Sequence, residues 1–302
     1  MDISDIFLGT VKLLQISTGA SGNVFLLLFY TYMVFSSHKL SSSDLILTHL
    51  ALANTILLLI YGIPETISAW GWRNFLDTIG CKIVLYIYRV AQDLASCTTC
   101  LLSIFQAITI SPNTSRWVEV KAKLPKCIIP SFVFFWVLNL LIDINALVYA
   151  SGPQNSTSIQ ITYDLKYCSV NILSAEATLI NAIILSGCDL FFVGLMSAAS
   201  GYMVFILHRH HWWVRHFHDP GSSPGATPKV EQQRESSPRS CFTSSFMDIP
   251  SCSAFYSPLL VNINTAMVFG FPVISPFLVI HSDRRMRTFW KTESTVSIMD
   301  SS

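Results

Sequence analysis

Arg89 and Asp93 stand four residues apart in a stretch, Ile83–Ile110, that is otherwise almost purely apolar. On a helix that spacing places both on one face. Ionisable groups at membrane depth are expensive and turn toward a bundle interior or a cavity. The two therefore form either a ligand-contacting polar site, with Gln92 beside them, or an internal ion pair that sets helix packing. Spacing alone leaves both readings open. Asp143 and Asp189 are single acids in later apolar runs and fit packing or polar-network roles. Cys97-Thr98-Thr99-Cys100 has the spacing of a redox or metal motif. It lies in an apolar run without a second pair, where cysteine behaves as a small hydrophobe. His208, His210, His211, His216 and His218 could gather a metal, but the interspersed Arg209 and Arg215 suit a basic, membrane-proximal face better. No HExxH, Walker loop, dinucleotide fingerprint or GxSxG elbow is present. The expectation is a non-enzyme without cofactor or metal.

The elements that must carry these residues are membrane helices. Only 12% of the residues are charged, against about 25% in a soluble domain, too few to cover a soluble surface. A span needs roughly 20 apolar residues. Six segments qualify: Leu13–Phe35, Leu45–Ala69, Ile83–Ile110, Cys127–Ala150, Thr178–Leu207 and Leu259–Ile280. Helix is the only sensible form, because open strands would leave backbone groups unpaired in lipid and barrel alternation is absent. The fifth segment also holds Gly194-x-x-x-Ala198 and Ser197-x-x-x-Gly201, small residues that let helices approach closely. Met1–Leu8 has two aspartates and no basic residue, so it lacks the charged start of a cleaved signal peptide.

Lysine and arginine set the orientation. They gather after the first span (Lys39), after the third (Arg116, Lys121, Lys123, Lys126), after the fifth (Arg209, Arg215, Lys229, Arg234, Arg239) and in the tail (Arg284, Arg285, Arg287, Lys291). Those connectors are expected in the cytoplasm and the N-terminus outside. Six spans would then return the basic tail to the outside, so an odd number is required. The missing span would have to lie between Leu207 and Leu259. Between Lys229 and Pro258, however, stand Glu231, Arg234, Glu235, Arg239 and Asp248, with Pro238 and Pro250 and many serines. A charge at a span centre costs about 2.5–3.5 kcal/mol on insertion scales. Topology demands a sixth span that these residues supply poorly.

Cys81 before the third span and Cys168 in the connector after the fourth fall on the side assigned outside, where disulfides persist. They are either bridged or two free thiols. Asn155-Ser156-Thr157 is a glycosylation sequon on that side; Asn113-Thr114-Ser115 fits the pattern on the other.

Several strings sharpen the picture. Gln106–Pro112 followed by Ser115-Arg116-Trp117, the run Ser200-Gly201-Tyr202-Met203-Val204 before His208-Arg209-His210, Gly62-Ile63-Pro64-Glu65, and Ser275-Pro276-Phe277-Leu278 before His281-Ser282-Asp283-Arg284 resemble the vomeronasal type-1 receptor family. The resemblance covers roughly residues 5–229 and 258–291. It implies an all-α integral membrane protein, a seven-transmembrane helix bundle of G-protein-coupled receptor type, with the sixth span degraded or absent. It implies a Cys81–Cys168 disulfide and a glycosylated Asn155. The implied activity is pheromone reception. A small volatile or hydrophobic ligand would bind near Arg89, Gln92 and Asp93, among the outer halves of spans three, five and seven. The partner would be a heterotrimeric G protein of inhibitory type, facing Ser111, Pro112, Arg116, Trp117, His208 and Arg209. No nucleic-acid partner is expected; membrane lipid is. The expected layout is an extracellular N-terminus at 1–12, spans one to five with their loops at 13–207, and a cytoplasmic loop with the disrupted sixth-span region at 208–258. The seventh span follows at 259–280 and a cytoplasmic tail at 281–302, all in the plasma membrane. The sixth-span region keeps its length but changes character, as two compensating reading-frame shifts would leave it. The alternatives are a non-functional receptor relic and a polytopic transporter; against the latter, the chain shows no inverted repeat.

Overall fold

The computed structural model describes residues 3–37, 41–72, 75–152, 162–164, 167–171, 175–217, 258–283 and 285–286. The helices are α1 (Ile3–Ser37), α2 (Ser42–Ala69), α3 (Thr78–Ile110), α4 (Ser115–Ile142), a short α5 (Asn145–Tyr149), α6 (Ala175–Phe217) and α7 (Pro258–Ser282). Five of the six expected spans each lie on one long helix, which extends beyond the apolar stretch at most of the ends. The fourth, Cys127–Ala150, runs past the end of α4 at Ile142, through the short α5, to a strand residue at Ala150. Among the described residues, five helical segments are long and apolar enough to cross a membrane: Gly9–Met33, Ser42–Ala69, Thr78–Ile110, Trp117–Val148 and Ser186–Trp212. Their outward faces carry Leu28, Ile63, Val133, Leu141, Leu190 and Phe191, all exposed. Such faces suit lipid and would be a liability in water.

Local chemistry sets the helix ends. Asp77 caps α3 by accepting the Gly80 N–H at 2.8 Å, the ordinary service of an aspartate to orphan N–H groups. Beyond Trp70, Gly71 takes φ 89° and gives its N–H to Ser68 O at 3.0 Å; only glycine enters that region freely. Pro112 follows Ser111, the last cap of α3, and the residue before a proline leaves helical conformation.

Packing runs α1 on α2, α2 on α3, and α3 on α4 and α6, with α7 against α1 and α2. Core clusters fill the seams: Leu50, Ala53, Val90, Leu94 and Ala95 between α2 and α3, and Ile46, Ile128 and Phe132 between α2 and α4. Polar links are fewer and more specific. His49 Nε2 accepts from Trp136 Nε1 at 3.0 Å, so its Nδ1 carries the proton and meets Thr98 Oγ1 at 2.9 Å. One neutral imidazole thereby ties α2, α3 and α4.

Prolines govern the α7 seam. Pro276 has no N–H for the carbonyl of Pro272, its partner one turn back. Asn23 of α1 replaces it, donating Nδ2 to Pro272 O at 2.8 Å. Asn54 of α2, fully buried at 0% exposure, donates to Ser275 Oγ at 3.0 Å. The helices come close enough for this because Gly19 and Gly22 face α7. A Cβ on Gly19 would stand 2.6 Å from Val273 Cγ2 and 3.1 Å from its Cα, and one on Gly22 3.0 Å from Pro276 Cγ. By contrast, a Cβ on Gly187 of α6 meets nothing within 4 Å among the described residues. Gly19→Ala is therefore expected to destabilise by about 1–2 kcal/mol through overpacking. Gly187→Ala should be neutral or gain up to about 1 kcal/mol of helix propensity. Thermal unfolding in detergent checks both, and equal melting temperatures would refute the α1–α7 close approach.

Helix directions follow from the contacts. Gly19 meets Val273 and Tyr30 meets Asp283, so α1 and α7 run the same way. Asn54 meets Asn23 while Lys12 meets Glu65, so α2 runs against α1; Tyr61 stacks on Tyr88 while His49 bonds Thr98, so α3 runs against α2. Asp189 and Phe192 lie beside Asp93 and Cys97, and Tyr202 beside Ser111, so α6 runs with α3. The last residue of α6 and the first of α7 thus sit at opposite ends of the bundle. Residues 218–257, including the region of the expected sixth span, join them and lie outside the described residues.

Candidate functional site

At one end of the bundle Cys81 and Cys168 form a disulfide with Cα atoms 5.6 Å apart. Cys81 lies in the first turn of α3 rather than ahead of it. The bridge holds the connector after α4 onto α3, and that connector is not all irregular. β1 (Ala150–Ser151), β2 (Thr162–Asp164) and β3 (Ser169–Asn171) form a small antiparallel sheet in the order β1-β3-β2, with Ala150 opposite Val170 and Tyr163 opposite Val170 on the other edge. Gly152 closes on the start of α3, its N–H reaching Thr78 Oγ1 at 3.2 Å. Burial of Tyr167 beside the bridge raises its phenol above its ordinary value. Asn155 lies outside the described residues.

About two turns along α3 from the bridge sit Arg89, Gln92 and Asp93. Arg89 Nη2 is 4.0 Å from Asp93 Oδ2, and its Nε is 3.6 Å from Asp143 Oδ1. Asp143 is therefore no isolated acid, as its place in the sequence suggests. It caps the C-terminus of α4 and turns into the α3 seam, where it is 3% exposed. A carboxylate at a helix C-terminus is disfavoured by the helix dipole, so the neighbouring guanidinium is what makes the position tenable. One cation is shared by two carboxylates. Next to Asp93, a cleft between α3, α4 and α6 is lined by Cys97, Asn139, Cys188, Asp189 and Phe192. It measures about 10 Å³, about the room of one water. A larger molecule needs more room than this cleft offers as it stands.

The opposite end of the bundle gathers a second polar set. Ser111 is buried, and its Oγ meets Ala107 O at 2.9 Å and Tyr202 OH at 3.1 Å. Lys121 of α4 donates to Ser111 O at 2.7 Å and Asn113 Oδ1 at 2.9 Å, and the Trp117 ring lies 6.0 Å from that of Tyr202. This Lys121 clamp supplies donors to the carbonyl end of α3. Pro112, His208 and Arg209 are exposed; Arg116 is in the first turn of α4, its side chain outside the described set. Ser111 thus works within the bundle and does not face outward with Pro112, His208 and Arg209.

Sequence reasoning passed over Asn23 and Asn54, and named Lys121 only for orientation and Ser275 only within a family string. Asn23 and Asn54 did carry a signal, each a lone amide deep in an apolar run, which must find a partner on another helix. Conversely, the small residues Gly194 and Gly201 make no close helix contact: a Cβ on either meets nothing within 4 Å among the described residues.

Residues 8–292 match the model of the vomeronasal organ pheromone receptor family. Vomeronasal type-1 receptor 3 of Homo sapiens is 38% identical over 294 residues, covering 95% of this chain and 94% of that protein. Vomeronasal type-1 receptor 4 of Pongo pygmaeus is 38% identical over 280 residues, covering 90% and 93%. Olfactory receptor class A-like protein 1 of Danio rerio is 34% identical over 295 residues, covering 95% and 92%.

Proposed function

Since this chain belongs to the vomeronasal organ pheromone receptor family, we propose that it is a chemosensory receptor of the plasma membrane. It takes a small, hydrophobic, pheromone-like molecule at its disulfide end and passes the event to a heterotrimeric G protein at its Ser111 end. The observation that carries this reading is the family match across residues 8–292.

The chain is a multi-pass membrane protein, and the basic connectors put its Ser111 end in the cytoplasm. The N-terminus is then outside, with the disulfide and the Asn155 sequon, where an oxidising compartment and glycosylation both act. Asp93 lines the cleft, with Arg89 and Gln92 close to it on α3, and Leu138, Ile142 and Phe192 give it an apolar part that suits a small ligand. On this reading a ligand that enters the cleft displaces α6. That displacement carries the signal: α6 also holds Tyr202, Ser111's partner at the far end, so one rigid helix connects both sets. Pro112, Arg116, Trp117, His208 and Arg209 form the face offered to the G protein.

Tags on the two termini, stained with and without permeabilisation, test the reading. The N-terminal tag should stain on intact cells and the C-terminal tag only after permeabilisation. Both tags on one side would mean an even number of crossings, contradict the common direction of α6 and α7, and sink the receptor reading. The polar composition of residues 230–257 favours one other reading, a relic that no longer signals. A chain retained inside the cell with both tags intact would support it.

A further inference from the structure

At the Ser111 end the chain turns back under the bundle after α7. Met286, 0% exposed, fills a pocket of Leu26, Phe29, Tyr30 and Ala51. Beside it Arg285 clasps Asp44 with both Nη atoms, Nη1 reaching Asp44 Oδ2 at 2.9 Å. Its Nη2 also reaches Asp283 Oδ2 at 3.1 Å, and Tyr30 OH donates to that same oxygen at 3.2 Å. We propose that Arg285 and Met286 form a releasable latch, an ionic catch and an apolar plug, that pins this end of α7 to α1 and α2 and lets go as one unit.

Three observations support it. First, the backbone of α7 is weakened just above the latch. Pro272 and Pro276 interrupt the helix, and the Pro272 carbonyl is satisfied by Asn23 rather than by α7 itself. Prolines are where helices bend. Second, past Pro276 the polar ties from α7 and the turn after it to α1 and α2, among the described residues, are the Tyr30–Asp283 and Arg285–Asp44 contacts. The hinge is thus followed by polar ties gathered in one place, while Val279 and Ile280 add only apolar packing against the same α1 and α2 cluster. Third, this ion pair can open. Asp44 is 4% exposed but sits in the first turn of α2, where the helix N-terminus favours a carboxylate even without Arg285. The Arg285 side chain is 43% exposed and reaches water when freed. Neither charge is stranded. Arg89 and Asp143 are different: separating them leaves a carboxylate buried at a helix C-terminus. While the latch is closed, the hydrogen bond to Asp44 raises the Arg285 guanidinium above its ordinary value against the opposing effect of burial. The latch follows from this geometry whether or not the chain signals.

Cysteine accessibility in the full chain, in membranes of permeabilised cells, tests it. Met286→Cys and, separately, Val273→Cys are labelled with a membrane-impermeant maleimide, and labelling is read as the increment over the parent chain. With Asp44 and Arg285 intact both positions should be protected. Adding Asp44→Asn or Arg285→Gln should speed labelling at position 286 about ten-fold, as a local opening does, and leave position 273 protected. Three results would overturn the proposal: free labelling of position 286 in the otherwise unaltered chain, unchanged protection after the catch is removed, or exposure of both positions together. The last would show that the contact holds the fold and is not a separate latch.

Discussion

Replacing Arg89 with methionine is expected to destabilise the protein by about 3 kcal/mol, the lower end for breaking a buried ion pair. The lower end applies because the 3.6 Å approach to Asp143 is longer than a hydrogen bond. The loss comes from what remains: Asp143 is almost wholly buried, its Oδ2 has no hydrogen-bond partner among the described residues, and it sits at the C-terminus of α4. Arg89→Met therefore leaves a carboxylate with neither solvent nor cation. Asp143→Asn should be milder, because Arg89 keeps Asp93. The double variant Arg89→Met, Asp143→Asn should recover much of the single loss, giving a coupling well above the scatter of independent sites. Melting temperatures in detergent close the cycle. Additive effects would show that Arg89 and Asp143 are not energetically coupled.

The second large effect is expected at the bridge. Cys168→Ser should lower stability by about 2–3 kcal/mol, within the usual range for a native disulfide. Cys81 and Cys168 are 87 residues apart in sequence, which by chain entropy alone would place the loss higher. The intervening α3 and α4 are, however, already confined by the bilayer in the unfolded reference state, so less freedom is removed. The β1-β3-β2 sheet should loosen first, since Cys168 directly precedes β3. A reducing agent should lower the melting temperature of the parent chain toward that of Cys168→Ser and leave the variant unmoved. Indifference of the parent to reduction would show that the sheet, Gly152 and Tyr167 hold the connector unaided.

Much of the architecture was legible in the sequence. Length and hydropathy called for helices because a bilayer admits few other solutions, and five of the six expected spans each lie on one; the fourth continues past α4 into α5 and β1. The requirement for an odd number of crossings, drawn from lysine and arginine alone, has its structural counterpart in the common direction of α6 and α7. Family membership was readable from short strings around Pro112, Tyr202 and Pro276. Pairing was not readable. Nothing in the spacing of Arg89 and Asp143 says that the end of α4 returns to α3, nor that Asn23 repairs the gap left by Pro276 in a helix far along the chain. Arg285 reads as one of several tail charges until Asp44 is seen beside it. Hydropathy is a property of segments and survives in one dimension. Partner choice among buried polar groups depends on rotation and depth of helices against one another, settled only when glycines such as Gly19 allow two backbones to close and each orphaned donor or acceptor must be matched within that geometry.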